Sequence, residues 1–313
     1  MVTNMSAFFN ALPGAVAQGI IWGIMAIGVY ITFRILDIAD LTVDGTMSIG
    51  GATFVVLTTS GVNVYISVLA AFLAGCIAGF ATGIFHTVFG IPAILSGILT
   101  QLALYSIYLR ITKARSNVAI NYRNYNLLLT LHDIPKAILV ASIFALLLIA
   151  ALYWFFGTEI GSSIRATGCN LAMSRANGIN TNFNKVFGLV LSNGIVAISG
   201  ALLAQYSGAA DINMGKGAIV VGLAAVIIGE VIFGKIFRNF ALTLVALVFG
   251  GIIYYVAITL VLQLGLNAND LKMFTAIIVA IFLGVPFWKS KVATKMSQSK
   301  KAQPVTVGGA DNA

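Results

Sequence analysis

Long stretches of this chain contain no charged side chain. The runs 45–109, 137–158 and 239–269 have no Asp, Glu, Lys or Arg. A helix needs about 20 apolar residues to cross a hydrocarbon core of about 30 Å. Strands of a membrane β-barrel would alternate polar and apolar residues, and these runs do not. The sequence therefore predicts an all-α fold, a polytopic bundle of transmembrane helices.

Hydropathy and helix breakers together predict about nine spans. They are 13–36, 46–60, 64–85, 91–110, 136–157, 185–206, 217–234, 240–263 and 271–287. We predict one transmembrane domain over 1–287 and a basic, disordered cytoplasmic tail over 288–313, which is rich in Lys, Gln and Gly.

The net charge of +9 is explained by position along the chain rather than by nucleic-acid binding. Five lysines follow the last span, where basic residues mark the cytoplasmic side and contact anionic lipid headgroups. If the tail and the polar stretch 158–185 are both cytoplasmic, eleven basic residues lie inside and seven outside. We expect this orientation in a plasma membrane. The N-terminus then lies outside, or inside if 37–60 is a re-entrant segment.

A polar break at 158–185 separates two of the predicted spans. Asn170 is placed to cap a short helix that runs to Asn177, and Gly178 is placed to end it. Such a helix would be about 10 to 12 Å long, too short to span. It would suit the groove of a soluble partner, although an ordinary flexible loop is also compatible with the composition.

Three carboxylates, Asp37, Asp40 and Asp44, lie between the first two predicted spans. A carboxylate at membrane depth costs about 2.5–3.5 kcal/mol on insertion scales, so it should face water, a partner or a cavity. One interpretation is a broken helix that lines a translocation path. The other is a short loop whose Asp residues cap the next helix.

Several further features are interpreted as structural. Glycines at four-residue spacing, at 19 and 23 and at 75, 79 and 83, predict close helix packing within the chain. Glu230 is expected to pair with the nearby Lys235 or Arg238, and His86 to be a hydrogen-bonded structural residue. The two cysteines give neither a disulfide framework nor a metal site.

Motifs for energy conversion or catalysis are missing from the sequence. The Gly-Lys at 215–216 lacks the other positions of a Walker motif, and no zinc helix or nucleophile elbow is present. We therefore expect a transport subunit that is not an enzyme and binds no cofactor of its own. An autonomous secondary transporter or channel is the alternative, and it would need paired acidic residues at the midplane.

Three stretches carry a resemblance to a known family. The segment 164–234, which begins IRATGCNLAMSRANGIN, together with ADLTVDGT at 39–46 and PAILSGILTQLALYSI at 92–107, resembles the permease subunits of bacterial ABC importers. The similarity is to the branched-chain amino acid and ribose permease superfamily, and within it to the branch linked to tryptophan or tyrosine uptake.

The resemblance implies a type II importer permease. Its expected partners are a second permease copy, a cytoplasmic ABC ATPase dimer that binds ATP and Mg, an extracytoplasmic substrate-binding lipoprotein, and membrane lipid. The family's coupling element maps onto Arg165, Gly168, Asn170, Met173, Arg175, Gly178 and Asn180. The residues expected along the substrate path are Asp40, Thr42, Asp44, Ser96, Gln101, Asn193 and Gln205.

Overall fold

The computed structural model describes residues 5–234 and 239–263, with scattered positions between 273 and 284. Helices dominate this part of the chain. They are α1 (Met5–Tyr30), α2 (Thr42–Thr59), α3 (Val64–Thr87), α4 (Ala93–Ile111), α5 (Ile134–Phe156), α6 (Glu159–Cys169), α7 (Leu171–Ala176), α8 (Thr181–Ser207), α9 (Ala218–Phe233) and α10 (Phe240–Gln263). A π-helical turn, Ile31–Ile35, continues α1.

The predicted count of nine spans is approximate. Within the described residues, six helices are long and apolar enough to cross a membrane: Phe8–Ile35, Val64–Thr87, Ala93–Ile111, Ile134–Phe156, Thr181–Ser207 and Phe240–Gln263. The predicted spans 46–60 and 217–234 correspond to α2 and to the 16-residue α9. About half of the predicted span 271–287 and the whole of the tail 288–313 lie outside the described residues.

Three helices begin at least four residues before the predicted start of the span. Pro13, expected at the start of a span, lies inside α1, α2 begins at Thr42 rather than at 46, and α8 begins at Thr181 rather than at 185. The polar stretch 158–185 is also more helical than expected, because α6 fills its first half. Thr158 accepts a hydrogen bond from the Gly161 amide at 3.4 Å and so caps α6.

The two ends of the bundle are distinguished by what lies there. At one end, which we call the hairpin end, β1 (Asn117–Ala119) pairs antiparallel with β2 (Ala209–Asp211), with Val118 opposite Ala210. The end of α8 is fixed there, since the Gln205 side chain accepts a hydrogen bond from the Leu128 amide at 3.1 Å. At the other end, which we call the α6–α7 end, α6 packs against the π-turn and α8.

Helices α1 and α8 are the most deeply buried of the long helices, and glycines bring their neighbours close. A Cβ at Gly75 or Gly79 of α3 would overlap backbone carbonyl oxygens of α8. A Cβ at Gly19 or Gly23 would meet the backbone of α10. These contacts confirm that the glycine spacing serves packing within the chain, where lipid gives helices no hydrophobic reason to associate.

Two isolated polar residues have structural partners, as expected. Glu230 forms an ion pair, but with Arg34 of the π-turn at 3.0 Å; Lys235 and Arg238 lie outside the described residues. His86 Nδ1 lies 2.9 Å from the Ile91 carbonyl oxygen, which can only accept, so this nitrogen carries the proton. Nε2 then accepts from the Lys185 ammonium at 3.4 Å, which ties α3 to α8.

Candidate functional site

The regular α-helical backbone of α1 ends in the π-turn, close to the α6–α7 end. In the π-turn the Leu36 amide donates to Ile31 O at 3.0 Å, and the Ile38 amide reaches back to Thr32 O at 2.9 Å. Asp37 has a left-handed φ of 55°. The irregular segment 36–41 then turns back into the bundle, and Leu36, Ile38 and Asp40 are buried in it. Irregular backbone at membrane depth is tolerated where protein or a cavity surrounds it.

Asp40 and Asn193 form the central polar contact of the bundle. Asp40, 2% exposed, accepts from the Thr42 amide at 2.9 Å through one oxygen and from Asn193 Nδ2 at 2.7 Å through the other. Asn193, 0% exposed and halfway along α8, also donates to Leu189 O at 3.0 Å and accepts from Thr46 Oγ1 at 2.7 Å. The side chains thereby tie segment 36–41 and α2 to the middle of α8.

A chain of three threonine hydroxyls extends this contact through α3 to α4. Thr42 Oγ1 lies 2.7 Å from Thr82 Oγ1, and Thr82 donates to Thr100 Oγ1 at 2.8 Å. All three residues are buried. Buried polar groups need partners, so these hydrogen bonds fix the register of the helices against one another. The polar network therefore joins α2, α3, α4 and α8.

Asp44 caps a helix other than its own. Its carboxylate accepts from the Gly217 amide at 2.9 Å and from the Ile219 amide at 3.0 Å, at the start of α9. An acidic group is favourable there because the first helical amides have no helical partner and carry partial positive charge. Next to this cap lies a cavity of about 370 Å³ that Asp44, Ser48, Gln101 and Lys216 help to line.

The residues expected along the substrate path thus fall into three places. Asp40, Thr42 and Asn193 meet in the buried network, and Asp44 and Gln101 line the cavity. Ser96 and Gln205 lie apart from both: Ser96 donates to backbone oxygens at the start of α4, and Gln205 holds the loop at the hairpin end. The acidic segment is a buried break, and Asp40 accepts from the Thr42 amide at the start of α2. That this break lines a translocation path stays a prediction.

Three members of the network, Thr46, Thr82 and Thr100, were missed by sequence reasoning. A single threonine in an apolar helix commonly bonds to the carbonyl four residues back, and each of these three also does so. One sequence signal could have identified Thr46: it lies one helical turn after Thr42, and both follow directly after Asp40.

The α6–α7 end presents the predicted short helix. Asn170 Oδ1 accepts from the Met173 amide at 3.0 Å, so the predicted cap of α7 is confirmed, and Gly178 follows the helix with a φ of 77°. Asn180 caps α8 in the same way by accepting from the Phe183 amide at 3.1 Å. Met173, 61% exposed, offers an apolar side chain to the surroundings.

Three other residues of the expected coupling set contact neighbouring elements of the bundle. Arg175 Nε donates to Thr181 Oγ1 at 3.1 Å, which fixes α7 to the start of α8. The Arg165 guanidinium lies over the rings of Phe240 and Phe156. Gly168 touches the π-turn so closely that a Cβ there would overlap the Ile35 carbonyl oxygen. Helix α6 is therefore in direct contact with the segment that leads to Asp40.

Together, the spans, the buried break that follows the first of them and the short helices at one end are those of a polytopic membrane protein. The chain matches the family model described as branched-chain amino acid transport system / permease component over residues 12–286. It belongs to that family, and is a non-enzymatic permease subunit of the ABC transporter class in the plasma membrane.

Two curated relatives match along nearly their whole length. The tyrosine transport system permease protein of Clostridioides difficile is 36% identical over 93% of this chain and 99% of its own length. An uncharacterized protein of Rickettsia prowazekii is 33% identical over 88% of this chain and 97% of its own length.

A solved structure supports the fold. It is an inward-facing ABC transporter assigned to the metal-chelate type, which aligns with a TM-score of 0.50 at 14% identity. The alignment covers 89% of this chain and 85% of the other.

Proposed function

We propose that this chain forms the translocation path of an ATP-driven importer for an amino acid. A second copy of the chain completes the permease, an ABC ATPase dimer with ATP and Mg drives it, and an extracytoplasmic lipoprotein delivers the solute. Three observations support the proposal: the family match, the relative named for tyrosine transport, and a sequence without a Walker motif of its own. In this proposal the basic-residue bias puts the α6–α7 end in the cytoplasm.

One contact carries the proposal, namely that of Gly168 with the π-turn. The exposed helix α7 follows α6 after one extended residue, Asn170, and α6 meets Ile35 through Gly168 with no side chain between. From Ile35 the chain runs five residues to Asp40 and the buried network. π-Turns often occur at functional positions in helices. Movement of α7 by an ATPase would therefore reach the centre of the bundle through a short backbone path.

The carboxylates in the bundle do not favour an ion-driven carrier. Asp40 and Asp44 each use both oxygens in hydrogen bonds to the protein, and they bond to different elements. A paired acidic site, which a secondary transporter would need, is not found among the described residues.

Reconstituted uptake tests the proposed function. The permease is placed in proteoliposomes with its proposed ATPase and binding-protein partners, and labelled tyrosine is supplied outside with ATP enclosed. We expect uptake only when ATPase, binding protein and ATP are all present. Uptake by the permease alone under an ion gradient would contradict the proposal. A calorimetric screen of the binding protein against aromatic and branched-chain amino acids, nucleosides and sugars identifies the solute.

Substitution at Gly168 tests the contact with the π-turn. Gly168→Ala puts a methyl group where the Ile35 carbonyl oxygen lies, so α6 must shift away from the turn. We expect ATP-driven uptake to fall about tenfold, within the usual range of coupling energies, while ATP hydrolysis by the complex continues. Cys169→Ala is the matched control, since this neighbouring side chain is exposed. If Gly168→Ala takes up solute at the wild-type rate, this contact is not part of the coupling route.

A further inference from the structure

A large cleft opens at the α6–α7 end, between the last turn of α5, helix α6 and the first residues of α10. It measures about 770 Å³, and its lining includes Tyr153, Trp154, Thr158, Arg165 and Phe240. None of these residues takes part in the buried network or the cavity beside Asp44. The cleft is thus a separate feature of the fold.

Arg165 provides the charge in this cleft. Its guanidinium carbon lies 4.2 Å from the centroid of the Phe240 ring and 5.2 Å from that of Phe156. The rings hold the cation through its face, which leaves the N–H groups at its edge free to donate. Among the described residues no carboxylate or other acceptor bonds to this guanidinium.

The acidic residue of the same helix does not neutralise Arg165. Glu159 precedes it by six residues, which places the two side chains about 120° apart around an α-helix, on different faces. Glu159 is exposed, whereas Arg165 is half-buried. Burying a charge without a partner is costly, so an anion from outside the chain would stabilise this half-buried cation.

The position of the cleft indicates which anion. The span of α5 ends at Phe156, and Trp154, 74% exposed, and Tyr153 stand in its last turn. Exposed Trp and Tyr at the end of a span mark the headgroup level of a bilayer. Two turns earlier in α5, towards the middle of the span, Leu146 and Leu147 are exposed large apolar side chains, suited to contact acyl chains. Contact with this apolar surface would not stabilise the binding of a soluble anion.

We propose that this cleft binds the phosphate of an anionic phospholipid. The planar guanidinium of Arg165 donates two parallel hydrogen bonds to the phosphate oxygens, a geometry that suits arginine better than lysine. Basic pockets between membrane helices on the cytoplasmic side bind anionic headgroups in the same way. The lipid would bridge α5, α6 and α10 where α6 meets the π-turn. This proposal does not depend on the solute or on how transport is driven.

Lipid titration with native mass spectrometry tests the site. The detergent-purified chain is titrated with phosphatidylglycerol and, separately, with phosphatidylcholine of the same acyl chains. We expect Arg165→Gln to lower the preference for phosphatidylglycerol about fivefold, which corresponds to the loss of about 1 kcal/mol for one basic residue near the surface. Arg110→Gln is the matched control, because Arg110 is exposed at the end of α4 near the hairpin. We expect that variant to keep the wild-type preference.

Two outcomes would overturn the proposal. One is an unchanged lipid preference in Arg165→Gln. The other is displacement of phosphatidylglycerol from the wild-type chain by millimolar inorganic phosphate, which would make the cleft a site for a soluble anion.

A second measurement remains decisive if Arg165→Gln fails to fold. A benzophenone amino acid replaces the exposed Trp154, and the chain is irradiated in vesicles that contain equal amounts of the two lipids. We expect about fivefold more crosslinking to phosphatidylglycerol, by the same estimate. Equal yields would refute the site.

Discussion

Replacing residues 170–178 with a Gly-Ser linker of equal length is expected to abolish ATP-driven uptake and leave the bundle folded. The segment holds α7, its Asn170 cap and the exposed Met173, but it contributes none of the hydrogen bonds of the buried network. Flexible linkers behave as random coils and transmit no directed movement. Uptake and ATP hydrolysis are measured in the proteoliposomes above, and folding is checked by the melting temperature in detergent.

A linker at the opposite end serves as the control. Residues 121–124 are exposed in the loop at the hairpin end, and a Gly-Ser replacement there should preserve uptake driven by ATP. Undiminished uptake with the 170–178 linker would refute the coupling role of α7. Lost uptake together with a lower melting temperature would show instead that the segment supports the fold.

Hydropathy predicted most of the membrane helices because transfer into lipid depends on composition over a whole span. The boundaries of the span over 240–263 agree with α10 at both ends. Helix α6 was missed because its sequence, EIGSSIRATGC, combines glycine and serine with few apolar residues. Its helical state depends on the Thr158 cap and on packing against α8 and the π-turn, which composition does not show.

The candidate site was predicted in part, and the difference follows from how far apart its residues are in sequence. Local rules found the Asn170 cap and marked Asp40 and Asp44 as unusual for their depth. The same rules could not show that Asp44 caps α9, which begins more than 170 residues later, or that Asp40 bonds to Asn193. These contacts between distant parts of the sequence form only in the folded chain, where close packing at glycines brings α2, α3 and α8 together.

The position of the buried network gives the segment 36–41 two roles. At its start Ile35 touches Gly168, and at its end Asp40 holds Asn193. A fully bonded polar network in a low-dielectric interior has well-separated alternative arrangements, because each group must find a new partner when the helices shift. Such a network is suited to switch between discrete states rather than to bend gradually.

Asn193→Leu should cause the largest loss of stability among single substitutions in this network. Leucine has a similar size but leaves one oxygen of the buried Asp40 without a partner, and the Thr46 hydroxyl keeps only its bond to the Thr42 carbonyl. Loss of a hydrogen bond to a charged group, with that group left buried, costs about 3 kcal/mol in free energy of unfolding. We therefore expect a clearly lower melting temperature and loss of ATP-driven uptake.

The double variant Asp40→Leu/Asn193→Leu separates the loss of a contact from the burial of an unpaired carboxylate. Replacing both partners by apolar groups can be nearly neutral, so the double variant should be more stable than Asn193→Leu alone. It should still fail to transport, since it has lost the polar contact that joins segment 36–41 to α8. Ser199→Ala in α8 is the control, because its buried hydroxyl bonds to the Ile21 carbonyl at 2.8 Å and, among the described residues, to no member of the network. A double variant less stable than the single one would refute the unpaired carboxylate as the cause, because the two losses would then simply add.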